Sequence, residues 1–141
     1  MRKSFLIILL CIVLAMSGCG SHSRIKDVSD DVYERGVAFI EYMDKYSMIG
    51  EQDGEDRLNA IAADDAPDSD ALFEDVIYVL WVYHNLKSVD TAAEEMNQRL
   101  KANGVDTTVQ EKYENIRDSI LSATTQDDLW DIWNASTDSA K

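Results

Sequence analysis

Residues 72–83 read Leu-Phe-Glu-Asp-Val-Ile-Tyr-Val-Leu-Trp-Val-Tyr, and the last eight carry no charge. This run constrains the fold more than any other feature. An apolar run of that length suits a buried strand as well as a buried helix, and Val, Ile, Tyr and Trp favour strands. A strand needs a partner, however, and no second comparable run follows residue 25 to pair with it. The segment therefore reads as a helix from about Ser69 to Leu86. With almost no polar face, it is expected to be the buried centre of its domain. It is too short to cross a bilayer, which takes about 20 apolar residues.

The remaining segments surround such a helix. Ile25, Val28, Val32, Gly36, Phe39, Ile40, Met43 and Tyr46 recur at three- and four-residue steps, predicting a helix over about Lys26 to Ser47. Asp31–Arg35 and Glu41–Lys45 on it are i,i+4 pairs in the favoured order. Gly50 to Gly54 reads as a polar loop, followed by a short helix over Glu55–Ala63 with Leu58, Ile61 and Ala62 inward. Thr91 and Glu94 fit a capping box for a helix to Ala102, stopped by Asn103-Gly104. A helix over Val109–Ala123, opened by Thr107 or Thr108, turns Val109, Tyr113, Ile116 and Ile120 inward. A last helix, capped by Thr125, covers Gln126–Ala135 with Leu129, Ile132 and Trp133 inward, and residues 137–141 form a frayed tail. The fold class is thus all-α, a small bundle of about five to six helices over residues 25–136.

Composition narrows the function. The 141 residues carry 13 Lys+Arg against 27 Asp+Glu, a net charge of −14. Such a field repels phosphates and argues against nucleic acid as a partner. One Pro and six Gly argue against a turn-rich β-sandwich.

The first residues have a different character. Arg2 and Lys3 are followed by the apolar stretch Phe5–Met16 and then Ser17-Gly18-Cys19. Charge, apolar core and small residues in this order mark a secretory signal. Met16-Ser17-Gly18-Cys19 resembles the lipobox of bacterial lipoprotein precursors, usually Leu-Ala/Ser-Gly/Ala-Cys, with Met at the first place as a departure. The resemblance covers residues 1–19 and implies a sorting class. It implies diacylglycerol on the Cys19 sulfur, cleavage before Cys19, and acylation of the new amine in many bacteria. Two or three chains anchor stably where one binds only marginally. Residues 1–18 are then the signal peptide and residues 19–24 the lipidated Cys19 and a tether. Cys11 leaves with the signal, so the mature domain has no thiol for a disulfide, a nucleophile or a Cys-ligated zinc. Loss of Arg2 and Lys3 takes the net charge of the mature chain to −16. Gly20, where some lipoproteins have Asp, implies the periplasmic side of the outer membrane in a Gram-negative cell. In a Gram-positive cell the lipid implies the outer face of the cytoplasmic membrane.

Little in the domain points to catalysis. Asp64, Asp65, Asp68, Asp70, Glu74 and Asp75 make an oxygen-rich stretch, but EF-hand spacing is absent and helix-start acids explain part of it. His84 stands alone at the end of the apolar helix and reads as a hydrogen-bonded, partly buried histidine. Ser23-Arg24-Ile25-Lys26 matches Ser-x-x-Lys without the companion motifs of that chemistry. Trp130, between Asp128 and Asp131, is not required by the amphipathic pattern and is a candidate recognition residue. No catalytic set, metal site or cofactor is assigned. The expectation is a non-catalytic, lipid-anchored envelope module that binds a protein or peptide, in one form an immunity or inhibitor protein for a cationic partner. Trp130, Asp64, Asp65, Asp68 and Asp70 are its candidate contacts. Two alternatives stay open: a small wall-active hydrolase using paired carboxylates, and a solute- or metal-binding lipoprotein.

Overall fold

The computed structural model describes residues 22–138. The signal segment, Cys19 and residues 139–141 lie outside them. Among the described residues the elements are six helices and no strand: α1 (Asp30–Lys45), α2 (Glu51–Asn59), α3 (Asp68–Lys87), α4 (Asp90–Ala102), α5 (Val109–Ser122) and α6 (Gln126–Asp138). The all-α reading holds, and residues 76–83 are helix rather than strand. None of these helices is long and apolar enough to cross a membrane.

α3 is the hub and packs against each of the other five helices. Its Phe73, Val76, Ile77 and Leu80 are fully buried. Phe73 stacks on Tyr33 of α1 at 5.8 Å between ring centroids. Gly36 lets α1 approach, since a Cβ there would overlap the Phe73 ring. Gly36→Ala should therefore cost about 1–3 kcal/mol by overpacking, seen as a lowered denaturant midpoint. α5 buries Val109, Tyr113, Ile116 and Ile120, the four residues its spacing selects. Its capping box is Thr108 with Glu111, the Thr108 amide donating to the Glu111 carboxylate at 2.8 Å.

Several boundaries differ from the sequence reading, each for a local reason. α1 starts at Asp30 rather than near Lys26. The preceding segment is held by α3 instead: Ser69 Oγ donates to the Asp27 carbonyl at 2.5 Å, and Asp70 accepts from the Ser29 amide and hydroxyl at 2.8 and 2.7 Å. Asp27 takes a left-handed φ of 69° there. Ile25 and Val28 are still buried, as loop residues. The expected loop at Gly50–Gly54 is the first turn of α2, with Gly54 buried because the Trp81 indole fills the space of its missing side chain. α4 starts at Asp90 after Val89 with no side-chain cap, so Thr91 lies inside the helix and the Thr91–Glu94 box does not form. α6 runs on to Asp138, past the expected end at Ala135. Ser136 is buried in it, its hydroxyl satisfied by the Ile132 carbonyl at 2.6 Å.

Candidate functional site

The side of α3 facing α2 is only partly covered. Tyr78 and Val82 stand exposed on it, Tyr78 at 49% of its full area, and Val89 is exposed just past its end. A helix expected to be buried all round thus keeps one apolar edge in water, because α2 is only nine residues long. Between α2 and α3 lies an open groove of about 830 Å³. Trp81, Leu58 and Leu86 contribute apolar lining, and Asn59 and Asn85 add amides. Four carboxylates line it as well: Glu51 and Glu55 from α2, Glu74 and Asp75 from α3. No Lys, Arg or His is among its lining residues.

The groove is held by specific contacts. Asn85 clamps the segment before α2, accepting from the Ile49 amide at 3.1 Å and donating to its carbonyl at 2.8 Å. Trp81 packs near Phe39 and Tyr78, with ring centroids 6.4 and 6.2 Å apart. Only 7% of Trp81 is exposed, and its Nε1 is buried with no hydrogen-bond partner. The Glu74 carboxyl titrates above the ordinary range, chiefly because burial disfavours its charge, with Asp75 and Asp64 adding repulsion. Asp75 is raised by burial as well.

The residues singled out from sequence divide. Asp64 and Asp65 lie exposed in the α2–α3 connection and Asp68 is exposed at the start of α3, with Asp64 near enough to act on Glu74. Asp70 faces the other way. It is 2% exposed, and both its oxygens are engaged by Ser29, so it fastens α1 to α3 and is not on the surface. Trp130 is 47% exposed on α6 and does not line the groove. Among the described residues no three His, Cys, Asp or Glu side chains converge as a metal site. Sequence reasoning missed Tyr78, Val82, Glu51 and Glu55. The available signal was the lack of any polar residue on α3 between Asp75 and His84, which leaves no side of that helix suited to water.

A second titratable cluster lies where α1, α3 and α5 meet. Arg117 Nε donates to Asp44 at 3.0 Å, joining α5 to α1, and the Tyr113 hydroxyl donates to Asp44 at 3.4 Å. Burial first, then the Asp44 charge, pushes Tyr113 up to about 12. His84 is 0% exposed, its ring 5.5 Å from that of Tyr113, and neither ring nitrogen makes a well-formed hydrogen bond. It is more deeply buried than the sequence reading had it. Burial and the Lys87 cation hold its pKa below the ordinary value, against smaller opposing effects of the Tyr46 backbone and Asp44. A depressed histidine lends stability that is present above about pH 6.5 and lost as pH falls toward the folded value. Glu74 and Asp75 act with the opposite sign at lower pH. Denaturant midpoints should therefore drop between pH 7.5 and 5.5 relative to His84→Leu, and an unchanged difference would refute a neutral buried His84.

No protein-family model, curated protein sequence or solved structure matches the chain.

Proposed function

We propose that the protein is a lipid-anchored, non-catalytic module of the bacterial envelope that binds a protein or peptide partner in the α2–α3 groove. The lipobox-like Met16–Cys19 supports the anchor. The groove supports the binding: it combines exposed Tyr78 and Val82 with four carboxylates and no basic residue. An apolar floor with a charged rim is the anatomy of a recognition surface. The charge argues for a cationic partner, as an immunity or inhibitor protein would meet in a basic toxin or wall hydrolase. Binding of such a partner should weaken with salt.

In-cell photocrosslinking tests this reading. A benzophenone side chain at position 78 should give a discrete adduct in the living cell, while one at position 130 should not. Adducts from 130 alone would move the site to α6, and adducts from neither would remove the reading.

The raised pKa of Glu74 beside aromatic lining favours one second reading, a wall-active hydrolase with Glu74 as acid. Fragments released from peptidoglycan by the wild type and not by Glu74→Gln would establish it, and no release closes it.

A further inference from the structure

We infer that the occupant of the α2–α3 groove is a basic amphipathic α-helix of about three turns. This rests on the partner-binding reading above and names the partner's chemistry.

Shape is the first ground. Glu74, Tyr78, Val82 and Leu86 fall at four-residue steps on α3 and all line the groove. They form one stripe along α3, and at 1.5 Å per residue it is about 18 Å long. A partner helix of about 12 residues matches that length, with its own anchors at i, i+3, i+4 and i+7.

Backbone chemistry is the second. A peptide that binds by adding a strand needs an unpaired strand edge to satisfy its amides and carbonyls. Both long walls here are helices, whose backbone groups bond within themselves, and the described residues contain no strand. A helix brings its backbone already satisfied.

Charge is the third. Glu51, Glu55, Glu74 and Asp75 face the groove with no cation among the lining residues. A partner carrying Lys or Arg beside its apolar stripe neutralises carboxylates that the site leaves unpaired. A second copy of this chain would bring an acidic excess of its own.

The test uses the full chain purified from its own membrane in a neutral detergent, with three labelled 18-residue probes followed by fluorescence anisotropy. One is a Leu/Lys peptide patterned as an amphipathic helix. The second has the same composition in strict alternation, and the third replaces Lys by Glu in the helical pattern. The helical Leu/Lys probe should bind at least about tenfold more tightly than either other. The double change Tyr78→Gln, Val82→Gln should weaken it by a similar factor at unchanged circular dichroism. Both positions are exposed, so the helices should form normally, and any binding to the detergent itself is common to both proteins. Equal binding of the alternating probe removes the helix, binding of the Glu probe removes the charge, and an indifferent double variant removes the groove. If position 78 crosslinks in the cell while the probe preference fails, the partner-binding reading stands and only this inference falls. If position 78 gives no adduct, the reading beneath it falls too.

Discussion

Cys19→Ser should abolish fatty-acid labelling of the protein and leave it at precursor size, with the apolar segment Phe5–Met16 still attached. The variant lacks the thiol that would carry the lipid. Each buried methylene of an acyl chain contributes about 0.8 kcal/mol, so two or three chains dominate attachment. The described helices include no membrane span, and the excess of acidic residues is repelled by an anionic bilayer surface. Immunodetection reads the size, and metabolic labelling with a fatty acid should mark the wild type only. Labelling of the variant, or its processing to the mature size, would refute lipid attachment through Cys19.

Phe73→Ala should be the most damaging substitution within the helical domain. The ring is 0% exposed, fills the space over Gly36 and stacks on Tyr33, so its loss leaves a cavity where α1 and α3 meet. Burial of this kind is worth about 3–5 kcal/mol, a large part of the roughly 5–15 kcal/mol that holds a domain of this size. Urea unfolding should show a lower midpoint at a similar slope. A loss under about 1 kcal/mol would mean that α1 does not close on Phe73 as described. Comparison with Gly36→Ala separates the two sides of the contact, since one variant empties the space that the other overfills.

The sequence was most legible where one local pattern decided the outcome. Val109, Tyr113, Ile116 and Ile120 sit on one face of α5 by spacing alone, and Thr108 caps it through a residue three places away. Long-range pairing hid the rest. Asp70 looks like an ordinary first-turn acid, yet its partner Ser29 lies 41 residues earlier in the chain. Gly54 carries a loop signal, but it is there to admit an indole from another helix. The groove was half legible. The acids at 74 and 75 stood out, whereas the exposure of Tyr78 and Val82 depends on how little of α3 the short α2 can cover. Periodicity reports which residues are apolar; it does not report whether enough neighbouring chain exists to bury them.

The central claim is that partner recognition occurs in the groove and depends on its carboxylates. The most direct measurement is the crosslink yield from position 78 in living cells, compared between the otherwise unchanged chain and a Glu51→Gln, Glu55→Gln, Glu74→Gln background. Loss of three facing charges should cut the yield by about tenfold or more while the protein level stays the same. An equal yield from both chains would contradict the account.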